Sequence, residues 1–409
     1  MKLNRDEFLE TGYLIVKEAV PRDKLERVRQ AYETLVNRQR ENWKAERAAG
    51  DPPGGVWETG AQPRLQLSRA PLVNQIDPKT APAVEVWLEE NIHGVSTELL
   101  GIADGAVTEM MMMCNPVRDH GPAKWHRDLH PIDTAPLQGY IDDILEGGPR
   151  YVQWNIPLYD DSVLWVVPGS HLRLNTPEES EVMLADPPRP LPTGVQTHLE
   201  AGDGVVYILP ILHWGSNYSP KMRRTVHGGF STFTSIDDLS FAEHISADAQ
   251  TAFRRWNDRS EQMKQHTESA LQAVLAGDGA AYLNALDGLH PERAEKGRML
   301  STVYLCKAAL AIRLHKDPPL QRIAEDLQRR VLGKHPITLN WGPKFADRFT
   351  PDEARLLWDR FSPLEDLLQA DEEHFVPGFQ AVPMKHYFNE MPADYGTADF
   401  IASWKATRS

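Results

Sequence analysis

Between about Val107 and Phe233 the chain runs as short β-prone segments broken by turn residues: VTEMMMMCNP, RYVQWNIPLY, SVLWVVPGSH, GVQTHLEAGDGVVYILPILHWGSN and RRTVHGGFSTF. Turns this frequent, with no helical period between the segments, confine the middle of the chain to a small β-barrel or sandwich. Helical signals lie on either side. NRDEFLETG reads as a helix capped at Asn4 and stopped at Gly12, and YLIVKEAV as a short strand closed by Pro21. From Pro21 to Gly50, Leu25, Val28, Tyr32, Leu35 and Val36 recur at helical spacing. DPPGGVWETGAQP is a loop, and KTAPAVEVWLEENIHGVSTELLG reads as one helix. After Ser235 the pattern is helical to about Leu332, and His335 to Ser409 reads as short helices and loops. The expected class is α+β, with a core over residues 1–235 and a mainly helical extension over 236–409. The extension is expected to pack on the core, where it would cover the mouth of the barrel or form a homodimer interface.

The 409 residues give ample material for a core, and the net charge of −14 argues against non-specific nucleic-acid or anionic-lipid partners. Cys114 and Cys306 are far apart and form no motif, so they read as buried thiols in a reducing compartment. The start, MKLNRDEFLETGYLIV, lacks a basic region followed by an apolar one, and no apolar run has the length of a membrane span. The expectation is a soluble cytoplasmic protein acting on a small molecule.

The stretch KWHRDLHP, Lys124 to Pro131, carries the first chemistry. On an extended chain residues i and i+2 point to one side, so His126 and Asp128 present an imidazole nitrogen and a carboxylate oxygen together. That is two-thirds of a facial triad suited to Fe(II). An H-x-D pair alone also fits an ordinary polar loop. His213 closes the apolar run GVVYILPIL, where a histidine without a partner would be costly, and so offers a third ligand. Just beyond it, Arg223 and Arg224 open another β-prone run. An arginine inside a small barrel needs an anion, such as the distal carboxylate of a 2-oxo acid.

HRD (126–128), VVPGSH (166–171), GDGVVYILPILH (202–213) and NYSPKMR (217–223) together resemble the motif series of the phytanoyl-CoA dioxygenase family. FLETGYLIVKEAVPRDKLERVRQ is similar to that family's opening segment, and the resemblance runs from Phe8 to Phe233. It implies a double-stranded β-helix of the jelly-roll or cupin-like kind, with flanking helices. It implies an Fe(II)- and 2-oxoglutarate-dependent dioxygenase that uses O2, releases succinate and CO2, and hydroxylates a substrate C–H bond. His126, Asp128 and His213 match the iron ligands, and Arg223 or Arg224 the arginine that holds the 2-oxoglutarate C5 carboxylate. Counting from His213 favours Arg224; counting from Asn217 favours Arg223. Successive strand residues face opposite sides, so one arginine enters the barrel. Thr225 would place a hydroxyl beside Arg223, which favours Arg223. Retention of Asp128 argues against a halogenase. A non-catalytic metal- or small-molecule-binding barrel and a zinc hydrolase on the same ligands are the alternatives.

Other residues have blander readings. His120 and His130 read as loop residues at the mouth, and His171 as a polar residue packed under a turn. His227 could face the pocket. Trp125, Trp154, Trp165 and Trp214 read as barrel packing, with Trp125 or Trp214 as candidates to line a cavity. Met110 to Met113 reads as a core strand. Arg118, Lys124, Arg127, Arg150 and Lys221 read as solvated charges, and Gln153 and Asn155, two apart, as a pair sharing one face.

Overall fold

A computed structural model of the chain describes residues 3–129, 135–291, 293–316, 342–368, 372–380, 383, 391–392 and 394–404. The chain forms two compact units, one of residues 1–127, 149–171 and 176–257, the other of residues 128–148, 172–175 and 258–409. Among the described residues no helix is long and apolar enough to cross a membrane.

The first unit opens with α1 (Arg5–Thr11), whose N-cap Asn4 accepts the Glu7 amide and whose C-cap is Gly12 at φ 83°. β1 (Tyr13–Val16) follows, then α2 (Arg22–Asn42). α2 ends well before Gly50 because its buried stripe ends at Val36, leaving nothing to hold further turns. After α3 (Gly55–Thr59) and β2 (Arg64–Gln66), the helix expected over 79–101 is broken. α4 (Pro82–Glu85) passes into a 3-10 turn, and α5 (Glu90–Leu100) starts afresh from Glu89, which is non-helical at ψ 137°. The Glu89 carbonyl accepts the Ile92 and His93 amides, so this residue starts a helix where it was expected to continue one.

The β region supplies β3 (Ala106–Cys114), β4 (Tyr151–Pro157), β5 (Trp165–Val166), β6 (Val195–Gln196), β7 (Gly204–Ile208), β8 (His213–Trp214) and β9 (Arg224–Ser231). Contrary to the expectation of no helix here, α6 (Leu137–Gly147), which belongs to the second unit, and α7 (Pro177–Ala185) interrupt it. α7 starts with a capping box between Thr176 and Glu179, a signal present in the string TPEE. The strands form a six-stranded sheet in the order β1-β7-β4-β9-β3-β2 and a three-stranded sheet β6-β5-β8. All their pairings are antiparallel. The apolar run GVVYILPILHW, expected as one strand, is two. Pro210 has no amide to give a ladder, and the Ile211 amide turns back to the Ile208 carbonyl at 3.0 Å. The chain therefore leaves the large sheet after β7 and enters the small one at β8.

Alternation divides the large sheet into two faces. One carries Val226, Phe230, Trp154 and Val206 and is covered by helices. The Trp154 indole N–H donates to Ser96 on α5 at 2.8 Å, and the Phe230 ring lies 5.9 Å from that of Trp87. The other carries Thr225, His227, Asn155, Gln153, Tyr207 and Val205, as the register shows. Val205 and Tyr207 bury against Leu164, Val166 and Leu199 from the small-sheet side. The space between the sheets is thus apolar at one end and polar at the other.

The described residues of the second unit form helices: the part of α8 (Ala247–Ala276) from residue 258 on, α9 (Gly279–Leu289), α10 (Glu295–Lys316), α11 (Pro351–Leu368), α12 (Thr397–Ser403) and α6. α11 is longer than the short helices expected after His335, with Pro363 inside it. Lys307 on α10 and Glu365 on α11 form a buried ion pair at 2.9 Å.

His171 packs as expected of a residue beneath a turn. It is fully buried, and its Nε2–H donates to the Leu9 carbonyl at 2.9 Å. A Cβ on Gly12 would fall on the imidazole, so Gly12 serves both the α1 terminus and this contact. Burial pushes the imidazole down from 6.5 to about 4. The unfolded chain takes up this proton near pH 6.5 and the folded one only near 4. The contribution to stability is therefore complete above 6.5 and lost as the pH falls towards 4, by roughly 2–3 kcal/mol. Urea melts between these pH values should show the loss, and His171→Gln should flatten it; an unchanged slope in the variant would assign the acid sensitivity elsewhere.

Candidate metal centre

His126 and His213 are held by the backbone before their side chains do anything. The His126 amide donates to the His213 carbonyl at 2.9 Å, and the His213 amide to the His126 carbonyl at 3.0 Å. Residues that exchange both bonds across an antiparallel pair present their side chains on the same face. The two imidazole centroids are 4.4 Å apart. Pairing continues outward through Ala123 to Gly215 and Gly121 to Asn217, which makes residues 121–126 a further strip beside β8. The neighbouring residues point the other way. Trp125 and Trp214 stack there at 5.3 Å and 4°, in a buried cluster with Val167, Met183, Leu191 and Leu212.

Each histidine has a fixed tautomer. His126 Nδ1 lies 2.8 Å from the Lys124 carbonyl and His213 Nδ1 3.0 Å from the Ile211 carbonyl. A carbonyl only accepts, so each Nδ1 carries the proton and each Nε2 the lone pair a metal would use. Asp128 joins them: one ligand atom from each of His126, Asp128 and His213 lies within 4.8 Å of the others. Between the two candidate ligands of the HRD string, Arg127 points away and is buried, donating to the carbonyls of Ser170 and Pro210. It is not the solvated charge expected; it ties the ligand loop to the turn that leads into β8.

The two arginines separate by face. Arg224 is buried on the helix-covered side, with Nε 2.9 Å from the Glu33 carboxylate on α2 and Nη1 donating to Asn115 Oδ1 at 3.0 Å. Arg223 lies on the opposite side with Thr225. Arg223 Nε and the Thr225 hydroxyl both donate to Asp161 Oδ2, at 3.0 and 3.2 Å, and Arg223 Nη1 donates to the Ser216 carbonyl at 3.3 Å. Ser216 follows β8 by two residues, which connects this cradle to the His213 strand. The Tyr207 ring, 5.2 Å from that of His213, links the same face of the large sheet to the histidine pair.

The model of the family described as phytanoyl-CoA dioxygenase (PhyH) matches residues 8–225, which span more than half of the chain and all six of these candidate residues. The chain belongs to the phytanoyl-CoA dioxygenase family. No curated protein matches it. Among solved structures it is similar to AviO1 from Streptomyces viridochromogenes Tue57, at 19% identity over 56% of this chain and 92% of that one, with a TM-score of 0.37. It is also similar to SnoK, the non-heme alpha ketoglutarate dependent carbocyclase from nogalamycin biosynthesis, at 18% identity over 56% and 83%, TM-score 0.39. A third is EctD from S. alaskensis, solved with 2-oxoglutarate and 5-hydroxyectoine, at 16% identity over 56% and 74%, TM-score 0.35.

Within this phytanoyl-CoA dioxygenase family member the remaining candidates fall into place. His227 Nδ1 meets Asn155 Oδ1 at 2.6 Å, and the Gln153 amide donates to the Tyr207 hydroxyl at 2.7 Å. These four form a polar row on the inner face. Tyr207 was not singled out from the sequence, although alternation along GVVYIL places it with Val205. Asp161 was missed too, and nothing in YDDSVL marks it. Trp125 and Trp214 pack in the buried cluster behind the two histidines, and Trp165 stands edge-on to Trp214. His120 is exposed, with Nε2 at 3.0 Å from the Thr59 carbonyl; Arg118, Lys124 and Lys221 are exposed and Arg150 half-buried. His130 lies outside the described residues. Met110 and Met112 are core residues on the helix side of β3.

Substitution of His213 separates ligand from packing residue. His213→Ala should weaken binding of Fe(II) or Co(II) by more than about a hundredfold in anaerobic equilibrium titration, because losing a side chain that touches the metal costs more than losing a group that only hydrogen-bonds to one. The melting temperature of the metal-free protein should stay close to wild type. Full metal affinity in a folded variant would remove His213 from the centre.

Proposed function

We propose that this protein is a non-haem Fe(II)- and 2-oxoglutarate-dependent oxygenase that hydroxylates a C–H bond of a small molecule. The observation that carries the reading is the convergence of His126, Asp128 and His213 within 4.8 Å. Family membership and the Arg223–Thr225 cradle, on the same inner face of the large sheet, support it. Two imidazoles whose Nδ1 atoms are tied to backbone carbonyls, with one carboxylate, are ligand types that would hold Fe(II). In this reading the two antiparallel sheets are the halves of a double-stranded β-helix.

When bound, iron and 2-oxoglutarate with O2 would supply the oxidising chemistry, releasing succinate and CO2. The chain's own residues do the rest. His126, Asp128 and His213 hold the metal, while Nδ1–H contacts to Lys124 and Ile211 keep the rings aimed. Arg223 and Thr225 face the same side and would bind the distal carboxylate of 2-oxoglutarate by charge-assisted hydrogen bonds. Arg224 is committed to Glu33 on the far face. The row Gln153, Asn155, His227 and Tyr207 offers hydrogen-bonding groups beside the site. A zinc hydrolase could use the same three ligands but leaves the Arg223–Thr225 pair without a role.

Anaerobic addition of 2-oxoglutarate to the Fe(II)-loaded protein should give the weak visible charge-transfer band of a chelated keto acid. Arg223→Ala should weaken 2-oxoglutarate binding by about 30- to 1000-fold, the equivalent of ~2–4 kcal/mol for a lost charge-assisted contact, and Arg224→Ala far less. Absence of the band in loaded, folded protein would defeat the oxygenase reading, and a large loss confined to Arg224→Ala would reverse the choice of arginine.

A further inference from the structure

We propose that Asp161 is a positioning residue that sets the orientation of Arg223 and so determines how the site receives a distal carboxylate. This rests on the reading of Arg223 as the arginine that binds 2-oxoglutarate.

Asp161 is itself held on both sides of its side chain. Its amide and carbonyl exchange hydrogen bonds with Leu199 at 2.9 Å each, and its Oδ1 accepts the Val163 amide at 2.7 Å. The remaining oxygen, Oδ2, accepts from Arg223 Nε at 3.0 Å and the Thr225 hydroxyl at 3.2 Å. A carboxylate anchored through its own backbone and an Asx turn is not a swinging group. It is a fixed point between β5 and β9. The guanidinium is a rigid planar fork, so fixing Nε to Asp161 and Nη1 to the Ser216 carbonyl defines its plane. The Nη2 group makes no hydrogen bond to the described residues and is the donor left for an incoming carboxylate. The side chains of Arg223 and Asp161 are 12% and 10% exposed, so solvent screens the contact little.

Asp161 could instead be read as an internal occupant that the co-substrate must displace. Displacement would break the Val163 and Thr225 contacts as well as the ion pair, and it would leave a buried carboxylate unpaired. A fixed Asp161 needs none of this. The two readings predict opposite signs when the carboxylate is removed.

The test compares wild type, Asp161→Ala, Asp161→Asn and Arg223→Ala, loaded with Fe(II) and titrated anaerobically by calorimetry with 2-oxoglutarate and with 2-oxobutyrate, which lacks the distal carboxylate. Asp161→Ala should weaken 2-oxoglutarate by roughly ten- to a hundredfold and leave 2-oxobutyrate unchanged, because only the distal contact depends on Arg223. Asp161→Asn keeps an acceptor oxygen and should lose less, which also guards against a folding defect in the alanine variant. Unchanged or tighter 2-oxoglutarate binding in a folded Asp161→Ala would overturn the proposal, as would equal weakening of both ligands. If wild type binds 2-oxoglutarate and Arg223→Ala binds it equally well, the underlying assignment of Arg223 falls and the proposal falls with it.

Discussion

The centre depends on one pair of backbone hydrogen bonds, those exchanged between His126 and His213. Because opposed residues in such a pair share a face, the pairing alone brings two imidazoles together from positions far apart in the chain. A slip of one residue would reverse the arrangement, with Trp125 or Trp214 turned inward and a histidine turned into the apolar cluster. The stacked tryptophans oppose that slip, since their burial against Val167, Leu191 and Leu212 is available in one register only. Arg127 adds a second lock, since the residue between His126 and Asp128 is tied to the Ser170 and Pro210 carbonyls. Packing behind the two histidines thus specifies which side chains stand in front.

The Pro210 turn matters for the same reason. It moves the chain from β7 in the large sheet to β8 in the small one within a few residues. Tyr207 therefore remains on the large-sheet wall while His213 stands on the small-sheet wall, with their rings 5.2 Å apart. Had GVVYILPILHW continued as a single strand, His213 would have remained in the large sheet, away from His126. The polar groups facing this space are paired with one another, buried Gln153 with Tyr207 and buried Asn155 with half-buried His227, which offsets the cost of taking them out of water.

Much of this was legible in the sequence, for identifiable reasons. His126 and Asp128 are covalent neighbours, so local geometry alone made them a pair. His213 stood out because a histidine closing an apolar run needs a partner. Alternation required Arg223 and Arg224 to part, and the Thr225 hydroxyl pointed to the face that Arg223 occupies. The misses have a common cause. The break at Glu89 and the sheet change at Pro210 are decided by which distant element each segment packs against, and periodicity does not report that. Asp161 was invisible because its significance comes only from Arg223 and Thr225, more than sixty residues away. α7 is different: its capping box is present locally in TPEE, amid strand signals on either side.

The arginine doublet shows how the two faces of β9 depend on each other. Two adjacent buried cations would be costly if they shared a partner or lacked one. Here each has its own carboxylate, Glu33 on the helix side for Arg224 and Asp161 on the inner side for Arg223. Reversing the phase of the strand would place Arg224 against Asp161 and Arg223 against α2. It would also move Thr225 and His227 into the helix-covered face and Val226 and Phe230 into the polar row. The ion pair with Glu33 therefore does more than balance a charge. By holding Arg224 against α2 it fixes the phase of β9 where the strand begins, and that phase turns Arg223 towards Asp161 and the inner face.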